Sequence, residues 1–476
     1  MNRRILLFLG AVAAGMLFAS CSDDDDNWNS IAVTNTELKA VLQQKGFEFN
    51  EQGELIQDDA VENTTTLDLS GCALSDVSGL DVFPKLSEVN LSNNNFSLSF
   101  DFSVLPATVN IIDLTSNEIY EYPGLVDVVE EENGDETVTL LREITKLYLP
   151  ESAKYNTHEL VYFYENKDEA ADMQMADANG ALAAYTTLRD IPDDNCRALL
   201  KENFPSLFEG EQVDLSNRIV GTSAGAELNI FSGLGIESAE GVQYIFSHRA
   251  YKGGQVQIQV SNKTTIPFFK IYHDGVGSIS LLNVNTPNGI DLGSAASNIY
   301  ALIMANNDEI TSLDLSQSEK IGQRADTDEL LAPANSNLHI ESCPQLEELN
   351  LLPEAAKVVC NLELHDLPKL KKVDLSRLEG IGLTLRLSQL PECEITYLTP
   401  VKWRLYRGGA DDLLGDYDDE RAYMRFGITE DIYERPATKD FLESYSTKLR
   451  NPGISSLNGY VEAFNWTQDY PAWTRP

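Results

Sequence analysis

The sequence predicts an α/β solenoid: two irregular arrays of short stacked coils, each opened by a helical cap, with a further cap at the C-terminal end. Three observations predict it. In Leu86–Phe96 (LSEVNLSNNNF) apolar residues stand at Leu86, Val89, Leu91 and Phe96, with Asn94 between the last two. The spacing returns 22 residues earlier, at Leu67, Leu69, Cys72 and Leu74, and 23 later, at Ile112, Leu114, Asn117 and Ile119. Helix signals open residues 34–50 and start again at Asp190, ahead of a second run of coils.

The first thirty residues read as a targeting segment. Arg3 and Arg4 precede an apolar run of fourteen residues, Ile5–Phe18, which is short for a bilayer span and suits a signal peptide. Ala19 and Ser20 then stand immediately before Cys21. LFASC resembles the lipobox of bacterial lipoproteins, which implies a signal peptide over 1–20 and lipidation of Cys21. Residues 21–33 form an acidic tether, SDDDDNWNS at its start. That run is similar to the signal that sends Bacteroidetes lipoproteins to the outer face of the outer membrane.

The first array is expected over 34–166. Asn35 or Thr36 can cap a helix whose apolar side is Leu38, Val41 and Leu42, and Gly46 can stop it. The coils follow, each with a period-two strand and then an asparagine (or Cys72) whose side chain can bond buried turn backbone. The fourth strand, at Ile144, Leu147 and Leu149, comes 35 residues after Ile112. The delay has a cause: residues 125–141 alternate on both sides of Asn133-Gly134, the signature of an inserted hairpin. Residues 167–189 read as a linker.

The second array is expected over 190–400. RDIPDDNCRALLKENF supplies a capped helix with Leu199, Leu200 and Phe204 on one side. Its coils are blurred around Val256–Ile271, recover at Ile310, Leu313 and Leu315, and become regular from Leu338, Leu362 and Leu385. Each of these late coils carries two alternating stretches, so strand is expected on both sides. Cys343 and Cys393 stand where neighbouring coils have leucine. Residues 401–476 are rich in Tyr, Trp and Arg and read as a cap or an extension, either buried or a binding surface.

The L-x-x-L-x-L-x-x-N-x-L spacing resembles the leucine-rich repeat family. With the lipobox, the chain is similar to Bacteroidetes surface lipoproteins of that type over roughly residues 35–150 and 190–400. The resemblance implies recognition or adhesion and names no ligand.

Composition bounds the partner. The chain carries 35 basic and 75 acidic residues, a net charge of −40, and such a surface repels nucleic acid and anionic lipid. No H-E-x-x-H, G-x-S-x-G or Walker sequence occurs, and no zinc spacing joins its cysteines. The expectation is therefore a non-catalytic protein without cofactor, metal or nucleic-acid partner, held to the membrane only by its lipid. The candidate contact residues alternate with the strand leucines, on the side expected to be concave. They are Asp68, Ser70, Asn90, Ser92, Asp113, Thr115 and Tyr148 in the first array. In the second they are Asp314, Ser316, Asn350, Asp374 and Ser376. The expected ligand is a protein or other macromolecule. The alternative is a glycan captured for an uptake system, with Trp466 and Trp473 as its platform.

Overall fold

The computed structural model describes residues 30–130, 136–220, 223, 225–318, 320–321, 323–324, 337–351, 357–397, 425–445 and 460–464. Cys21, the acidic run and all four tryptophans lie outside them, as does the Asn133-Gly134 turn. Among the described residues no helix is long and apolar enough to cross a membrane.

The first array opens with α1 (Thr36–Gln44). Asn35 is its cap, accepting the Leu38 N–H, and Leu38, Val41 and Leu42 bury against the first coil. Strands β1 (Thr66–Asp68), β2 (Glu88–Asn90), β3 (Ile111–Asp113), β4 (Lys146–Leu149) and β5 (Asp172–Ala176) then pair in parallel, with β6 (Leu182–Ala184) antiparallel at the end. The register sets Leu67, Val89, Ile112, Leu147 and Met173 in one row, all buried. Residues 167–189 are therefore no linker: they carry the fifth strand of this sheet and its returning hairpin. Met173 and Ala176 fill the core with small or unbranched side chains, which hides the strand from a leucine pattern. Strands Val126–Glu130 and Glu136–Leu140 pair antiparallel, so the 125–141 insertion is a hairpin.

Behind the strands the asparagines knit coil to coil. Asn94 donates from Nδ2 to the carbonyls of Leu69, Leu91 and Ser92, and its Oδ1 accepts the N–H groups of Cys72 and Leu74. Asn117 repeats the pattern one coil on, to Leu91, Leu114 and Thr115. At the next coil Ser152 takes over, its hydroxyl both donating to and accepting from the Ile119 backbone.

The second array opens with α3, Asp194–Asn203, helix α2 (Glu159–Asn166) having closed the delayed coil of the first. Asp193 caps α3 through Oδ1 and, through Oδ2, accepts the N–H groups of Glu237 and Ser238 on the first loop of the array. In the first array Asn35 is also tied beyond β1, but as the donor, its Nδ2 bonding the carbonyl and carboxylate of Asp76. Eight strands then pair in parallel: β7 (Leu228–Phe231), β8 (Gln255–Thr265), β9 (Ser278–Asn285), β10 (Ala301–Ala305), β11 (Asn337–Glu341), β12 (Lys357–His365), β13 (Leu378–Ser388) and β14 (Arg425–Thr429). The sheet thus runs past residue 400, and Ile428, Ile432 and Phe441 join the same core. Short strands on the other side of the coils, Ser312–Leu315 with Glu348–Leu351 and Lys372–Asp374 with Glu394–Thr396, send Leu313, Leu349 and Val373 into that core too.

One corner residue per coil reveals which strands correspond. Four residues after the first inward strand residue, Gly71, Asn93 and Ser116 adopt φ between +57° and +62° or, for Asn93, +53°. Asn283, within β9, and Asn306, Ser342, Asp366 and Gln389, directly after β10 to β13, do the same. The chain must turn left-handed there to leave the strand, and Asn and Asp tolerate this best after glycine. The eight-stranded sheet, not the short strands, is thus the counterpart of the first sheet.

The two arrays keep separate cores and meet at a junction built of rings and ion pairs. Phe268, Tyr120, Tyr155 and Tyr244 stack in a column, two rings of the first array held between two of the second, with centroids 5.1, 6.1 and 6.2 Å apart. Lys270 pairs with Glu121, and Arg249 grips Glu165 through two bonds of 3.0 and 3.1 Å. Beside them His248 is fully buried, its Nδ1 accepting the Ala250 N–H and its Nε2 facing the Leu215 carbonyl at 3.2 Å. Burial, with Arg249 adding to it, lowers this ring from 6.5 to about 4. Above pH 6.5 neither folded nor unfolded chain protonates it. As the pH falls toward 4 the unfolded chain takes up a proton that the native ring refuses, so stability drops by up to about 3 kcal/mol. Urea unfolding between about pH 7 and pH 4.5 is expected to show that loss, and His248→Asn to remove that part of the slope.

Candidate functional site

The expected contact residues fall into two groups. Asp68, Asn90, Asp113 and Tyr148 do form one outward row across β1 to β4, in register. Most of that row is already engaged locally. Asp68 Oδ1 accepts the Ser70 N–H at 3.0 Å, Asn90 Oδ1 that of Ser92 at 3.0 Å, and Asp113 Oδ1 both the N–H and the hydroxyl of Thr115. Each is an Asx turn that ends its strand and aims the chain into the left-handed corner. The Ser70 N–H, with its hydroxyl, holds the Asp68 carboxyl below its usual range. Among the described residues Tyr148 makes no side-chain hydrogen bond and stands half-buried between Asp113 and Gln174.

Asp314, Ser316, Asn350, Asp374 and Ser376 lie elsewhere, on the short strands and not on the counterpart of the first sheet. Asp314 and Asp374 make the same turns, to the N–H groups of Ser316 and Ser376. L-D-L-S therefore ends a strand on either side of a coil, and the tetrapeptide alone cannot tell which side. Ser316, Asn350 and Asp374 still share a groove of about 510 Å³ with Glu347, Lys371 and Arg377.

The outward side of the eight-stranded sheet escaped the sequence reading. One in-register row across β7 to β13 is Asn229, Gln257, Ser280, Ile303, His339, Glu363 and Arg386. All but the buried Ser280 are half-buried. One end is amide and hydroxyl: Gln255 donates to Asn229 at 3.0 Å and Gln259 to Ser280 at 3.2 Å. The other end is charged. His339 Nε2 lies 2.9 Å from Glu341, Arg386 stands 3.7 Å from Glu363, and His365 Nδ1 is 2.5 Å from the Ser388 hydroxyl. Burial, then the nearby Arg386 charge, lowers the His365 ring below its usual value. In the middle of the row Ile303 is flanked along its strand by two small residues, Ala301 and Ala305. The signal available was the phase: Asn307 stands five residues after Leu302, as Asn94 stands five after Val89. Asn307 Oδ1 accepts the N–H groups of Thr286, Glu309 and Ile310, the asparagine slot that the blurred middle of this array concealed.

Cys196, Cys343 and Cys393 are buried, and burial lifts their thiols to about 12, 11 and 11, so they behave as small apolar side chains. The two histidines one coil apart, His248 and His273, do not form a ligand pair, since both His248 nitrogens are engaged. The fragment MADANG is a hairpin turn: Asp177 Oδ1 accepts the N–H groups of Asn179 and Ala181. Among the described residues no three His, Cys, Asp or Glu side chains converge as a metal site. Trp466 and Trp473, on which a glycan platform would depend, lie outside the described residues. Comparison of the sequence with models of known protein families and with curated proteins gave no match.

Proposed function

We propose that this chain is a surface lipoprotein of the leucine-rich repeat kind, anchored at Cys21, whose outward sheet face binds a macromolecular partner. The observation that carries the reading is the row from Asn229 to Arg386. Seven strands at about 4.8 Å spacing make a strip roughly 29 Å long, the scale of an extended macromolecule and not of a metabolite. Five of its seven side chains are polar and half-buried, and the small residues beside Ile303 leave room for a partner's backbone or side chains. Open faces of this type are what stacked-coil proteins offer to partners. Between Cys21 and residue 30 the sequence carries four successive aspartates, the composition of a solvated tether.

The test places Ile303→Arg in the middle of the strip. Cells displaying the wild-type chain are expected to retain partners from host or bacterial surface extracts. Ile303→Arg cells should lose roughly tenfold in retention, and Asn90→Ala cells should not. Equal retention by all three would end the assignment of the face. Labelled palmitate is expected to enter the wild-type chain and not Cys21→Ala.

A further inference from the structure

At the junction of the arrays the inserted hairpin leans over a cleft of about 480 Å³. The hairpin contributes Val128 and Glu136, the first array His158 and Tyr162, and the second array Arg249, Tyr272 and His273 among others. Four buried side-chain polar atoms without a hydrogen-bond partner gather in these walls: His158 Nδ1, Arg249 Nε, Tyr272 Oη and His273 Nε2. Buried polar groups are almost always paired, so a cluster of four orphans in one cleft calls for groups that come from outside the chain.

We propose that this cleft binds a neutral saccharide of one or two rings. The polarity of the orphans sets the class. The Gly275 N–H donates to His273 Nδ1 at 3.0 Å, which puts the proton of the neutral ring on Nε2 and makes that atom a donor. Burial keeps this ring neutral and the Tyr272 hydroxyl protonated, so Tyr272 is a donor as well. Arg249 gives N–H groups of its two terminal nitrogens to Glu165 and the Ser216 carbonyl, and its Nε is a donor left without a partner. Carboxylates at the cleft, Glu136 and Asp274, supply acceptors. A ligand must therefore both accept and donate around its rim, as a ring of hydroxyls does.

Charge excludes the obvious rivals. Arg249 is offset by Glu165, Glu136 faces Arg218 at 3.4 Å, and Lys252 shares the cleft with Asp274. Little positive charge is left over for a phosphate or a free acid, and the whole chain, at −40, repels anions. Val128 is the sole aliphatic side chain among the cleft residues, too little for a lipid tail. The Tyr272 ring already stacks on His158 at 4.8 Å and 5° and carries Lys270 Nζ 5.3 Å from its centroid, so it is read as offering its hydroxyl and not a stacking surface. The four orphan atoms belong to cleft-lining residues but are closed to solvent, so pairing them with a ligand requires side chains at the mouth to move. This assignment is independent of the strip on the eight-stranded sheet, and it gives the hairpin a purpose as the third wall.

The experiment uses the full chain and saturation-transfer NMR with neutral hexoses, N-acetylhexosamines and their disaccharides, and with glucuronate and inorganic phosphate as anionic arms. At least one neutral sugar is expected to bind. Tyr272→Phe should weaken it by about tenfold, because the ring stack stays and one hydrogen bond goes. Without sugar, the same variant should melt no lower than wild type, since it deletes an unpaired hydroxyl. Val128→Trp, which fills the mouth from the hairpin, should abolish binding. Binding of no neutral sugar, binding of the anions alone, or equal binding by wild type and Tyr272→Phe would each overturn the proposal.

Discussion

Asn94→Ala is expected to destabilise the first array by about 4 kcal/mol, near the upper end for a single substitution. The argument is one of orphans, not of a lost contact. Alanine removes the one oxygen that accepts two N–H groups, so Cys72 N–H and Leu74 N–H lose their partner. It also removes the donor shared by the carbonyls of Leu69, Leu91 and Ser92. These groups sit in a turn packed between Leu91 and Phe96, where water reaches them poorly. Asn94→Asp separates shape from chemistry. It keeps the acceptor but turns a carboxylate oxygen toward three carbonyls, so it should cost at least as much as alanine. Asn90→Ala, which loses one Asx turn on the outward side, should cost below about 1 kcal/mol. Urea unfolding followed by far-ultraviolet circular dichroism separates the three. Comparable midpoints for Asn94→Ala and Asn90→Ala would refute the knitting role.

The ladder explains why the first array was legible and the second only partly so. Where an asparagine is used, it has to be an asparagine, since few side chains accept from two N–H groups while donating to two or more carbonyls. Asn94 and Asn117 therefore mark their coils in the sequence as clearly as in space. In the second array that slot is held by Asn307 once, then by Cys343, Leu367 and Leu390, which fill the space with apolar volume and leave no chemical mark. The corner residues are no better signposts. Ser342, Asp366 and Gln389 share a left-handed φ that their identities do not announce. With both signals gone, L-D-L-S is the strongest pattern left, and it marks the short strands, where Asp314 and Asp374 lie. The caps were legible because a capping carboxylate or amide must sit three residues before the N–H it accepts, as Asn35 and Asp193 do. β5 was not, because Met173 buries as well as leucine does without signalling a repeat. For the outward faces, sequence spacing identified alternation correctly, yet burial and turn formation decide which alternating residues remain available to a partner.

Arg189→Met is the second large effect, and it probes how the two arrays are joined. Arg189 is only 4% exposed and lies at the point where the first array ends and the second cap begins. Its Nε donates to the Lys154 carbonyl at 2.7 Å, one terminal nitrogen to the Thr186 and Leu188 carbonyls at 2.6 and 2.9 Å, and the other to the Tyr185 hydroxyl at 3.2 Å. The guanidinium also rests 5.3 Å over the Tyr185 ring. Methionine matches the length and packs, but strands four acceptors. Part of that loss is offset because a costly buried cation disappears, which leaves a net cost of about 3 kcal/mol. Arg189→Lys keeps the charge and offers donors from a single point, so it cannot span Lys154 and Tyr185 together, and an intermediate cost is expected. The distinguishing readout is local. Arg189 pairs with Val213 in a small three-stranded sheet, and hydrogen exchange of the Leu215 amide, which donates to Thr187, should quicken in Arg189→Met before the strands of either main sheet respond. If exchange quickens evenly through both arrays instead, the junction has no stability of its own and the two cores unfold as one.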